Sequence, residues 1–213
     1  MKHIVKRPEP PSLTRHRQQP HATYENYAQK ADLRRSLLQE QGKICCYCMQ
    51  RIEDAKMKIE HWASQRRHPH RQLEYQNLLG ACEGGEGAPK HLQHCDTHKG
   101  EDDISVHPAD PAHNCEALIK YQADGVIYAG DTRINNDLDV VLNLNLQRLC
   151  NNRKAALEGA LASLRRRRPD GAWTRTYLQT EKDRWNARDG SDQLPEYCQI
   201  VIYHLQKRIA QSR

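Results

Sequence analysis

Apolar positions fall in short, separated stretches along this chain. From residue 1 to 21 they are sparse, and Pro8, Pro10, Pro11 and Pro20 break any helical period. That stretch reads as an extended arm, made basic by Lys2, Lys6, Arg7, Arg15 and Arg17. In 22–43 the pattern changes. Tyr24, Tyr27, Ala31, Leu33, Leu37 and Leu38 recur near one face and Gly42 supplies a stop, which predicts a helix. Residues 44–104 hold a strand-like run at Lys58-Ile59-Glu60-His61-Trp62, an irregular middle at Gly84, Gly85 and Gly87, and a helix start near Asp96. A helix that short needs packing or a metal to persist. In 105–213, alternation on both sides of Asp124-Gly125 predicts a hairpin. Leu142, Leu146, Leu149, Leu157, Leu161 and Leu164 then predict one helix over about 137–168, closed by the cations Arg165 to Arg168, and a last helix is expected over 194–210. The fold class this implies is α+β, small sheets within a mainly helical chain whose C-terminal region packs on the central segment.

Composition narrows the function classes. Only 37% of the 213 residues are apolar and Phe is absent, so the core is small for the length and a partner chain is expected to complete part of the surface. No window approaches the ~20 continuous apolar residues of a membrane-spanning helix, and the basic, proline-broken opening does not look like a secretory leader. The expected location is therefore the cytoplasm. In that reducing setting the eight cysteines read as metal ligands or thiols rather than disulfides. A net charge of +6 permits a nucleic-acid partner without demonstrating one.

Cys45 and Cys48 form a C-x-x-C knuckle, and Cys82 and Cys95 follow downstream. Two such pairs can close a tetrahedral structural Zn²⁺ site, whose binding energy would then hold together a segment poor in apolar residues. The gap between Cys82 and Cys95 is wider than in a usual knuckle, so Cys46, His91, His94 and His98 are alternative ligands. Cys115, Cys150 and Cys198 lie in apolar or helical contexts and read as inert core thiols.

Between the cysteine pairs stand Glu60-His61 and Asn77-Leu78, followed by Cys95-Asp96-Thr97-His98-Lys99-Gly100. Together with Cys45, Cys48 and Cys82, these residues resemble a zinc-supported HNH endonuclease, whose core is the ββα-metal fold. The Lys-Arg-Pro-Glu-Pro-Pro-Ser-Leu stretch, Val106 to Pro111, the Asp124-Gly125 turn and Leu142-Asn143-Leu144-Asn145 with Arg153 extend the resemblance to one subgroup. That subgroup is the PtuB-type nuclease of Septu and retron-associated antiphage systems.

The resemblance implies phosphodiester hydrolysis. His61 would be the general base that deprotonates water, with Asn77 holding its ring. Glu60 and Asp96 would be carboxylate ligands of a catalytic Mg²⁺. Where Asp96 stands the family usually has Asn or His, so His98 is a further candidate ligand, and Lys99 would clamp a phosphate. Arg66, Arg67 and Arg71, in the loop between His61 and Asn77, would hold a DNA or RNA backbone beside the site. Tyr75 and Trp62 are candidates for stacking on a base. The implied partners are a PtuA-like ABC/SMC-type ATPase and, in retron systems, a reverse transcriptase with its RNA–DNA product. A non-catalytic zinc-finger nucleic-acid-binding module and a scaffold subunit with a degenerate core are the rival readings.

Overall fold

The computed structural model describes residues 1–171 and 173–211. The segment expected as an extended arm contains a helix, α1 (Pro11–Arg17), and buries Met1, Ile4 and Leu13. The prolines direct this helix instead of forbidding it. Pro11 occupies the first helical position, where its missing N–H costs nothing, and Pro8 and Pro10 lie upstream. The arm's charge is also partly internal: Lys6 donates to Glu40 and to the Leu78 carbonyl, and lies 3.8 Å from the centre of the Tyr75 ring.

The next helix is shorter than its apolar stripe predicts, running only over α2 (Lys30–Glu40). Upstream, Thr23 and Asn26 exchange side-chain-to-backbone hydrogen bonds, and Asn26 also donates to the His21 carbonyl. Such local bonds offer the backbone an alternative to helix and keep residues 21–29 irregular.

The central segment is built on β1 (Met57–His61) and β2 (Leu78–Cys82), antiparallel with Ile59 opposite Gly80 and His61 opposite Leu78. A five-residue helix, α3 (Cys95–Lys99), packs beside them. Because side chains alternate along a strand, Lys58 and Glu60 face one side and Ile59 and His61 the other. Ile59 and Leu78 meet the smaller apolar cluster of Leu13, Tyr27, Leu33, Leu37, Leu73 and Tyr75. Leu79 and Ala81 belong to the larger cluster, which also contains the cysteine quartet.

That larger cluster continues into the C-terminal half. After α4 (Cys115–Leu118), β3 (Ile119–Tyr121) and β4 (Ile127–Ala129) form the expected hairpin. Gly125 has φ +94° and stands so close to the Cys150 carbonyl that a Cβ there would lie 2.0 Å from its oxygen, so glycine is required. The single helix expected over 137–168 is instead α5 (Thr132–Asn136), a π turn (Asp137–Val141) and α6 (Gln147–Arg167). Asn145 causes part of the break. Its side chain accepts from the Ile127 N–H and donates to the Ile127 carbonyl, standing in for a neighbouring strand. Then follow α7 (Arg175–Asn186), which the apolar pattern does not announce, and α8 (Cys198–Gln211). Arg167 grips Glu181 with both guanidinium nitrogens and Arg168 stacks on Tyr177, so half of the terminal arginine run joins α6 to α7. No helix among the described residues is long and apolar enough to cross a membrane.

Candidate metal centre and active site

Cys45 and Cys48 lie in a tight turn where the Met49 N–H returns to the Cys45 carbonyl, Cys82 ends β2, and Cys95 opens α3. All four are buried, and their Sγ atoms lie within 4.8 Å of one another. Cys45 and Cys95 are 3.9 Å apart and Cys48 and Cys82 are 3.8 Å apart. A tetrahedron with Zn–S bonds of about 2.3 Å has edges of about 3.8 Å, so the sulfurs already stand at the spacing such a site needs. The wide gap between Cys82 and Cys95 is bridged by backbone. The His94 N–H donates to the Gly84 carbonyl, and the Cys95 N–H to the Leu142 carbonyl. These bonds hold Cys95 at φ +56°, a left-handed conformation that a cysteine does not adopt without such support.

The quartet's electrostatics also call for a cation. Burial alone would push the Cys45 thiol up, but hydrogen bonds from Cys46, Cys48, Cys82 and Cys95 hold it well below the ordinary range. Cys95 is pushed well up, first by burial and then by its bonds to the other three. One thiolate is thus tolerated, and ionising Cys95 as well requires compensating positive charge. The group could hold a metal such as zinc.

Of the alternative ligands, His94 supports the quartet from outside it. Arg148 donates to His94 Nε2 at 2.8 Å, which leaves the proton on Nδ1, 3.2 Å from the Cys95 sulfur. Burial pushes this imidazole down to about 4, so it is neutral at pH 7. Such an N–H to a ligand sulfur fixes ligand orientation.

Glu60 lies on the α3 face of β1 and is almost fully buried. Its Oε1 accepts from the Tyr47 hydroxyl at 2.7 Å and from Lys99 Nζ at 2.9 Å. Lys99 has no exposed side-chain surface and also reaches the His61 carbonyl at 3.3 Å. The expected phosphate clamp is therefore an internal ion-pair partner. Burial, reinforced by hydrogen bonding and repulsion from Asp96, raises the Glu60 carboxyl well above its usual range. Two crowded carboxylates demand a shared proton or a cation between them. Asp96 is also 3.3 Å from Lys58. His98 does not join this pair. Its Nδ1 is committed to the Val141 carbonyl at 3.0 Å, and no metal-holding group of three or more among the described residues includes it.

His61 projects from the opposite face of β1 and is buried, with 6% of its surface exposed. Its Nε2 lies 3.0 Å from the Gln72 carbonyl, which can only accept, so Nε2 carries the proton and Nδ1 the free lone pair. Burial pushes the imidazole down to about 4, and the nearby Asp96 charge opposes that shift. Asn77 does not touch the ring, contrary to expectation. Its carbonyl accepts from Trp62, its Oδ1 from the Ala63 N–H, and its Nδ2 donates to the Ala63 and Arg71 carbonyls. Asn77 thus clamps the two ends of the loop that delivers the Gln72 carbonyl, and it acts on His61 through that loop.

The loop's cations are divided. Arg66 is exposed. Arg67 pairs with Asp102 and Asp103, and Arg71 with Glu74, so both are partly neutralised. Tyr75 is buried with its hydroxyl on Glu40, and the Trp62 indole donates to the Val106 carbonyl, so both serve packing. Sequence reasoning missed Gln72 and Tyr24, whose ring meets His61 edge-on with centroids 4.4 Å apart. A main-chain carbonyl leaves no mark in a sequence, and Tyr24 reads as one member of a helical stripe. No family model matches the chain, and no curated protein matches it.

Proposed function

We propose that this protein is a metal-dependent endonuclease of the HNH type that hydrolyses nucleic-acid phosphodiester bonds around one structural zinc. The observation that carries the reading is the neutral His61 ring, oriented by the Gln72 carbonyl with Nδ1 free and within the field of Asp96, on the strand whose other face carries Glu60 crowded against Asp96. β1, β2 and α3 then constitute the ββα-metal core, and the quartet ties its ends together. Glu60 and Asp96 would hold Mg²⁺, which when bound supplies Lewis-acid stabilisation of charge developing on the phosphate.

The chain's own contribution is proton handling. A water beside Nδ1 of His61 gives its proton to that nitrogen as its oxygen attacks phosphorus, while the bond from phosphorus to the leaving sugar oxygen breaks and that oxygen takes a proton from solvent. The imidazolium so formed donates Nε2–H more strongly to the Gln72 carbonyl, which steadies the positive charge. Lys99 and Tyr47 fix the Glu60 carboxyl in place and partly oppose the upward push of burial and Asp96. The wider assignment, an effector subunit acting with a PtuA-like ABC/SMC-type ATPase and in some systems a retron reverse transcriptase with its RNA–DNA product, rests on the sequence resemblance.

A scaffold with a degenerate core is the second reading, favoured by the Lys99 ammonium seated on Glu60 Oε1. Labelled duplex DNA and single-stranded RNA, incubated with the protein alone and copurified with its operon neighbours, separate the two. The nuclease reading expects cleavage that EDTA stops and His61→Ala abolishes with zinc content unchanged and the fold retained by circular dichroism. Cleavage retained by a well-folded His61→Ala protein would refute the assigned base. Absence of cutting under all conditions would favour the scaffold.

A further inference from the structure

A histidine that acts through Nδ1 needs two constraints. One hydrogen bond at Nε2 fixes that nitrogen but leaves the ring plane free to swing, because the second side-chain torsion of histidine has a broad energy profile. The second constraint comes from outside the β1–β2–α3 unit. Tyr24 lies in the irregular segment between α1 and α2 and meets the His61 ring at 87°, close to perpendicular. Its backbone N–H donates to Gln72 Oε1 at 2.9 Å, while the carbonyl of the same Gln72 receives His61 Nε2 at 3.0 Å. One residue therefore sets both partners of the imidazole, main chain for one and side chain for the other. Tyr24 itself is well seated. Lys30 Nζ lies 4.9 Å from its ring centre, and the preceding Thr23 carbonyl is bonded by His16 Nε2.

We infer that Tyr24 and the Gln72 side chain are positioning residues, which lock the His61 ring so that Nδ1 faces the reacting phosphate. The inference rests on the hydrolytic role given to His61 above. It also assigns a task to residues 21–29, whose departure from helix is what brings Tyr24 over the ring. The contact is aromatic edge against face, so the phenol hydroxyl is dispensable and the ring is not.

The test uses the full-length chain with ¹⁵N-labelled histidine, the His61 signals being assigned by their loss in His61→Ala. The wild-type spectrum is expected to show a single Nε2–H tautomer. Tyr24→Ala and Gln72→Ala, the latter keeping the carbonyl, are expected to broaden it into a tautomer mixture. With Mg²⁺ and a labelled duplex DNA probe, both should lower kcat about three- to tenfold with KM nearly unchanged, the range an edge-to-face contact supports. Tyr24→Phe should restore the spectrum and most of the rate. Should Tyr24→Ala fail to fold, Gln72→Ala carries the test. An unaltered His61 spectrum and kcat in the substituted proteins would overturn the inference, as would a loss confined to KM, which would make Tyr24 a substrate contact. If the wild-type protein cuts no probe, the nuclease reading falls, and the spectra alone decide whether Tyr24 orients the ring.

Discussion

Lys99→Met is the most discriminating substitution the structure offers. A lysine that clamps a phosphate projects into solvent, and replacing it leaves stability nearly unchanged. Here the lysine side chain is fully enclosed, its ammonium 2.9 Å from an oxygen of Glu60, a side chain that is itself 2% exposed. At that separation and an effective dielectric of about 20 the attraction is about 6 kcal/mol, offset by the cost of removing both charges from water. Deleting one partner leaves Glu60 buried against Asp96 with only the Tyr47 hydroxyl in support, which costs about 3–5 kcal/mol. For a chain of 213 residues that corresponds to a melting temperature lower by roughly 6–20 °C. Urea unfolding followed by far-ultraviolet circular dichroism measures the difference, and the double variant Glu60→Gln/Lys99→Met should recover most of it. A Lys99→Met protein within about 1 kcal/mol of wild type would refute the buried pair and return Lys99 to the surface role.

Two further outcomes are expected. Cys82→Ser or Cys45→Ser should remove bound zinc by elemental analysis, from one ion per chain to none, and lower the melting temperature. An equal metal content in variant and wild type would dismiss the quartet as a site. Stability should also fall as pH drops from about 6.5 toward about 4. His61 and His107 are each held down to about 4 by burial, so the unfolded chain takes up their protons in that interval and the folded chain does not. Each contributes up to about 3 kcal/mol of acid sensitivity, and His107→Gln should flatten the urea-midpoint profile across that interval.

The parts of the fold legible in the sequence were those set by one local rule. Asp124-Gly125 marks its hairpin because only glycine fits against the Cys150 carbonyl, and the cysteine pairs mark their quartet because thiolates at such spacing have few other uses. What stayed hidden depends on partners distant in the chain. Lys6 looks like a surface cation until Glu40 and the Leu78 carbonyl surround it, and Lys99 looks like a phosphate ligand until Glu60 is placed over it. Asn145 breaks a helix that the leucine spacing favours, because its amide is worth more to the Ile127 backbone than to its own turn. The order of His61 and Asn77 in the chain marks them as candidates, but nothing in that order shows that His61 bonds the Gln72 carbonyl, which every residue type supplies equally.

The clamp at Asn77 separates two problems that a loop usually mixes. With Trp62, Ala63 and Arg71 tied to one side chain and its backbone, the span beyond Ala63 hangs from a closed neck. Closing a longer span costs only a logarithmic increment of chain entropy, about 0.6 kcal/mol per doubling. Residues such as Arg66 and His70 at its outer rim can therefore be exchanged, or the rim extended, while the imidazole below stays aimed. The outer rim can change in sequence and length at little cost to the geometry below it.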